Sequence, residues 1–289
     1  MDCGSPFRAS AWALPSGLAL RGHTLYYVIM IGFLLKKTFY DLWDNLFRIV
    51  AVNFGFLALT AVPVFLPKLA AKFFSSQALE VGLSAFGILL CSVYLSTAAH
   101  SLKSISDHGS FGFRDFFRGF KIAWPAGLVM GFFVFVVFLI VTIVIPFYIG
   151  IESPFGLIVA MIIFWAAIFA LLSFQFYFTV CARIGTNLIK AFRKCMIISL
   201  DNSGLALFLL LHNIAAMMLS FLLAFMFPGP AGILLYLDEA LRLRLLKYDW
   251  LDANPGADRR KIPWDAILIE EREKTGTRSL RNFIFPWKD

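Results

Sequence analysis

The side chains able to do chemistry in this chain are few, and they stand where polar groups are expensive. Asn53, Gln175, His212 and Asn213 lie inside long uncharged stretches of the sequence. Amide and ionisable groups in such settings are costly and therefore informative. Counted from the end of each stretch nearer a basic segment, they stand about 5 to 9 residues in, or roughly 8–13 Å at the helical rise. At that spacing the four can share one layer near one membrane face. Such a layer would be a polar pocket or gate, or it would be a set of interhelical hydrogen bonds worth about 0.6–2 kcal/mol each. The second use is the commoner one.

Catalytic patterns do not occur. The sequence has no HExxH, no GxSxG, no P-loop and no acidic pair within its strongly apolar runs. His100 and His108 flank a loop with Asp107, but no nucleophile is set beside them. Cys3, Cys91, Cys181 and Cys195 show no CxxC spacing and read as small hydrophobes. Asp238 and Glu239 fall in 233–246, ILLYLDEALRLRLL, too thin a basis for coupled ion transport. The expectation is a non-enzyme with no metal and no cofactor.

The elements that position these residues follow from composition. Hydrophobic residues make up 60% of the chain and charged residues 15%, with 33 Phe, where a soluble domain has roughly 25% charged. A water-soluble fold of this length could not hide so much apolar surface. The expected class is all-α, a polytopic membrane helical bundle of about six transmembrane helices. Five charge-free runs, at 49–67, 81–99, 122–150, 153–182 and 204–227, are long enough to span. After FPGPAG, 231–246 is a poor span by hydropathy but reads as a short sixth. Residues 1–48 form an N-terminal segment without the order of a signal peptide, closing in a surface helix; 249–289 form a polar tail whose Trp250, Trp264 and Trp287 argue for docking.

Two basic amphipathic segments lie between runs. In 111–121, FGFRDFFRGFK, a helix puts Phe113, Phe116, Phe117 and Phe120 on one stripe and Arg114, Arg118 and Lys121 opposite. That pattern suits an interfacial helix in the membrane surface; the alternative is a helix packing its Phe face on the protein. In 188–196, Leu188, Ile189, Phe192, Cys195 and Met196 share a face opposite Lys190, Arg193 and Lys194. The net charge of +8 is explained by such segments without nucleic acid. Lys and Arg placement puts both basic connections in the cytoplasm and the turn with Glu152 outside, Lys68 and Lys72 counting mildly against. Six spans then place both termini inside.

The segment TAAHSLKSISDHGSFGFRDFFRGFKIAW, 97–124, resembles the signature of the YesL-like family of bacterial integral membrane proteins. DNLFRIVAVNFGFLALTAVP, 44–63, is similar to that family's first span, with Asn53 and Pro63 at its Asn and Pro, and AFRKCMIISLDNSGLALFLL, 191–210, to a later inner loop. The likeness covers about 36–248 and departs at FLPKLAAKFF, where the family has a Thr-Ile-Gly-Pro stretch, and again from Asp249. Because it begins just after Met30, Met30 is an alternative start to Met1. The family is largely uncharacterised, and the resemblance carries no functional residues. It implies a bacterial inner-membrane protein linked to solute transport, with carbohydrate as the associated class.

The resulting expectation is an accessory or component of a solute transport system without its own ATPase. Its partners would be the lipid bilayer, transporter subunits or a cytosolic ATPase. The rival is a membrane scaffold or regulator that binds cytosolic partners or anionic lipids through its basic inner loops.

Overall fold

The computed structural model describes residues 16–73, 76–109, 112–151, 153–185, 187–259 and 262–276, with side chains from Ile29 onward. The described chain is helical throughout: α1 (Ser16–Asp44), α2 (Leu46–Ala71), α3 (Gln77–Ser106), α4 (Phe113–Leu139), a π-helical turn (Ile140–Val144), α5 (Ile145–Gly150), α6 (Pro154–Phe174), α7 (Tyr177–Ile184), α8 (Leu188–Asp201), α9 (Ser203–Leu222), α10 (Gly229–Ala253), α11 (Trp264–Ile267) and α12 (Ile269–Thr275). Five helical stretches are long and apolar enough to cross a membrane: Leu46–Ala71, Gln77–Ser106, Phe113–Gly150, Pro154–Ile184 and Ser203–Leu222. They coincide with the five charge-free runs: the first four extend past them on at least one side, where amphipathic flanks continue the helix as hydropathy falls, and the fifth stops at Leu222, short of the end of 204–227. The long exposed faces of these helices carry Phe, Leu, Ile and Trp. Such surface is compatible with lipid and not with water.

Contacts divide the chain into two units, Lys37–Arg244 and the pair Met1–Lys36 with Leu245–Asp289. In the second unit, α11 and α12 bury Trp264 and Leu268, and Arg272 pairs with Asp265 at 3.1 Å. Residues 1–15 and 277–289, including Trp287, lie outside the described residues, as does Glu152.

Within Lys37–Arg244, α3 is the shared wall. It packs antiparallel on α2, where the Tyr94 hydroxyl donates to Val52 O at 2.8 Å, and on α4, where the Ser96 hydroxyl donates to Ala123 O at 2.9 Å. Gly127 lets α4 approach so closely that a Cβ there would run into the Val93 backbone. α7 meets the last turn of α3, with Lys103 donating to Ala182 O and Arg183 to the Ser106 hydroxyl.

Two expected elements come out differently. The segment 113–121 is not a separate surface helix: α4 runs unbroken from Phe113 into the third span. With an apolar stretch directly following in helical register, nothing forces a break, and Pro125 is accommodated within the helix. The candidate sixth span is the first part of α10, which is not among the helices apolar enough to cross. Its residues between Ala231 and Arg244 are almost all buried, charged ones included. Its environment is therefore protein rather than lipid, and hydropathy against lipid is the wrong measure of it.

Candidate functional site: a buried ionic network at the end of α3

α10 carries Asp238, Glu239 and Arg242 on neighbouring faces, and each is met by charge from a distant part of the sequence. Arg183, from the last turn of α7, grips Asp238 with both ends of its fork, Nε to Oδ1 at 2.7 Å and Nη2 to Oδ2 at 2.6 Å. The same guanidinium donates to Asp107 at 3.0 Å and to the Ser106 hydroxyl at 2.7 Å. Arg242 donates to Asp107 at 3.0 Å and to the Ser106 carbonyl. Lys37, on α1, reaches Asp41 at 2.6 Å, the Ser106 carbonyl at 3.1 Å and Glu239 at 3.3 Å. The Thr38 hydroxyl completes the Glu239 site at 2.9 Å.

Lys37, Arg183 and Arg242 thus converge on the C-terminal end of α3, where orphan carbonyls and the helix dipole favour cations. They face Asp41, Asp107, Asp238 and Glu239 in ion pairs of 2.6–3.3 Å. Asp238 and Glu239 are each 1% exposed and Lys37 2%. Burial pushes the Glu239 carboxyl well above the carboxylate range, with Lys37 pulling it back. Burial would lower the Lys37 ammonium, but Glu239 and Asp41 outweigh it and hold the group above its ordinary value. Buried charges of this kind are tolerated only when paired and fully hydrogen-bonded. The arrangement locks α1, α3, α7 and α10 to one another. It offers no nucleophile, and no cluster of His, Cys, Asp and Glu suited to a metal occurs among the described residues.

The four expected layer residues make contacts between helices and turns. Asn53 clamps the α9–α10 turn: its Nδ2 donates to Met226 O at 3.0 Å and Pro228 O at 2.8 Å, and its Oδ1 accepts from Ala231 N at 2.9 Å. Gly229, at φ +62°, leaves no room beside that amide for a Cβ. Gln175 donates to Leu172 O and Ala206 O and accepts from Asn213 at 3.3 Å. His212 stacks on Tyr236 with ring centres 3.8 Å apart. So Gln175 and Asn213 meet and His212 interacts with Asn213, while Asn53 serves a separate contact. The cavities at Arg48–Phe117 and at Ser96–Leu188 do not include Gln175 or His212.

The basic segments are partly as expected. Arg114, Arg118 and Lys121 are exposed, as are Lys190 and Arg193, with Lys194 half-buried. Among the ring stripe, Phe116 packs on Tyr94 at 5.3 Å, whereas Phe113, Phe117 and Phe120 face outward. In α8, Phe192 enters a ring cluster with Phe133, Phe174 and Tyr177, and Cys195 is buried, but Ile189 and Met196 are exposed.

Sequence reasoning missed the network because its pairs are as much as 201 residues apart. A signal was present. Four charges within 238–244 of an otherwise apolar helix require partners, and Arg183 and Asp107 at the ends of their apolar runs were available.

The fold and this network define an all-helical, multi-pass membrane protein held together at one end by buried ion pairs. No family model, curated protein or solved structure matches the chain.

Proposed function

We propose that the protein is a multi-pass anchor in a bacterial cytoplasmic membrane, an accessory subunit of a solute transport system that docks partners at its cationic face and does not itself conduct solute. The observation that carries this reading is the use of the intramembrane amides. Asn53 and Gln175 spend their donors on backbone carbonyls, and Asn213 donates to Gln175. The exposed cationic charge stands outside, on Arg114, Arg118, Lys190 and Arg193. The link to transport, with carbohydrate as its class, rests on the resemblance of 97–124 to the YesL-like family. With no P-loop in the sequence, energy would come from a separate ATPase. No enzymatic role is proposed.

Arg114→Glu with Arg118→Glu is expected to leave folding nearly intact, since the Arg118–Asp115 pair at 3.6 Å is exposed and such pairs contribute little. Affinity purification of the tagged protein from native membranes should recover an ATPase or transporter subunit with the parent chain and lose it with the variant, the difference being largest at low salt, where exposed charges are least screened. Solute uptake by liposomes holding this chain alone would overturn the reading.

Depth within the bundle supports a finer topology. Ala231 packs with Val52, Ala98 and Ala99, and from Ala98 back to its start at Gln77 α3 runs for about 20 residues, roughly 30 Å. That is a full hydrocarbon thickness. α10 thus starts on the cationic side of the apolar slab, and its ion pairs lie outside the hydrocarbon. The Ser220 hydroxyl accepts from Gly229 N at 2.9 Å, so α9 ends at that same depth. Gln175, about two turns above Arg183, meets both Ala206 and Asn213 there. α9 accordingly lies across the bundle, and four crossings remain, with both termini cytoplasmic. In a Cys-free background, a membrane-impermeant thiol reagent applied from outside should label Glu152→Cys and miss Ala224→Cys. Labelling of Ala224→Cys from outside would restore six spans.

A further inference from the structure

A cavity of about 360 Å³ opens between the cationic ends of α2 and α4. Arg48, Ala51 and Gly55 form one wall, and Phe113, Phe116 and Phe117 the other. Both walls change character in the same direction. Arg48 stands at the N-terminal end of its wall, with Ala51 and Gly55 following at helical spacing toward the apolar slab. Phe113 opens α4, beside the exposed Arg114, and Phe116 and Phe117 lie one turn further in. Tyr94 closes the floor, its hydroxyl already committed to Val52 O at 2.8 Å.

Among the described residues Arg48 makes one side-chain hydrogen bond, to Asn45 Oδ1 at 2.7 Å, and its side chain is exposed. The guanidinium therefore keeps donors turned outward, in a planar fork suited to phosphate. The first turn of α4 adds backbone amides at a helix N-terminus. Asp115 takes the Gly112 N–H at 3.0 Å and offsets Arg118 at 3.6 Å, so the net positive charge of this rim comes from Arg48 and Arg114. By the depth relations above, this is where α2 and α4 pass from the cationic side into the hydrocarbon.

We propose that this cavity is a binding site for one anionic phospholipid of the inner leaflet, with its phosphate on Arg48 and an acyl chain laid between Ala51, Gly55 and the Phe116–Phe117 wall. An aqueous anion would use the cation but leave the apolar slot empty. A zwitterionic lipid would fill the slot but gain less from a net positive rim. The inference rests on the membrane reading of the fold and not on the proposed partner.

The full-length protein in zwitterionic nanodiscs is titrated with phosphatidylglycerol, and binding is followed by native mass spectrometry and by the shift in melting temperature. The parent chain should bind one phosphatidylglycerol tightly and raise its melting temperature, with phosphatidylcholine much weaker. Arg48→Gln should lose about tenfold in affinity, as removal of one charge-assisted contact implies. Ala51→Trp should block the slot and abolish binding of either lipid, while Lys190→Gln, on another helix, should bind as the parent does. Unchanged binding in both Arg48→Gln and Ala51→Trp overturns the proposal. So does an equal loss in Lys190→Gln, which would indicate a diffuse basic surface, or inorganic phosphate reproducing the whole effect. If lipid binding fails while the ATPase or transporter subunit is still recovered, the proposed function stands without this site.

Discussion

Asp238→Ala is expected to destabilise the folded protein by about 3–5 kcal/mol, the range for removing one partner of a buried pair. The change strips Arg183 of both bonds from its fork, at 2.7 and 2.6 Å, and leaves the guanidinium to Asp107 and the Ser106 hydroxyl. Arg183 is 8% exposed, so water cannot replace what is lost. The matching test of mechanism is the double variant Asp238→Leu with Arg183→Met. Here both charges go together, their desolvation cost goes with them, and the result should be far milder than either single change. Melting temperature in detergent and the yield of monodisperse protein report both. If Asp238→Ala melts with the parent chain, the network does not hold α10 and the account of the bundle's charged end is wrong. If the double variant is as damaged as the single, the packing of α10 rather than its charge carries the effect.

What the sequence made legible follows from the range over which each signal acts. Hydropathy is local. The runs at 49–67, 81–99, 122–150, 153–182 and 204–227 each fall on a helix apolar enough to cross a membrane. The spacing of Phe113, Phe116, Phe117 and Phe120 likewise marked a helix, but not its continuation into α4, because a basic face signals water or head groups whether or not the helix goes on. Burial within protein is different. Leu235, Tyr236, Glu239 and Leu241, which together ring the circumference of α10, are equally hidden, and a helix hidden all round has no amphipathic period to read. Its partners Lys37, Asp107 and Arg183 come from three other helices or their ends, so only the fold brings them together. The same limit applies to Gln175 and Asn213, which do meet, and to Asn53, which belongs to a turn more than 170 residues away.

Asn53 separates the two uses first considered for the polar residues, and its replacement should be the second large effect. A gate residue tolerates alanine with altered flux and little change in folding. A clamp does not. In Asn53→Ala the Met226 and Pro228 carbonyls lose their donor and the Ala231 N–H its acceptor, in a cluster where Val52, Ala98, Ala99 and Ala231 exclude water. Each buried group left unpaired costs about 1–3 kcal/mol, so a loss of about 3 kcal/mol or more is expected. Asn53→Asp keeps the acceptor for Ala231 N but turns a carboxylate toward the two carbonyls. It should therefore recover none of the stability despite its matching size. Hydrogen exchange should localise the damage to the α9–α10 turn and the first turns of α10, leaving the far halves of α2 and α3 protected. A variant that melts as the parent does, with exchange unchanged at Gly229–Leu235, would return Asn53 to the candidate pathway and weaken the case that this bundle carries no solute.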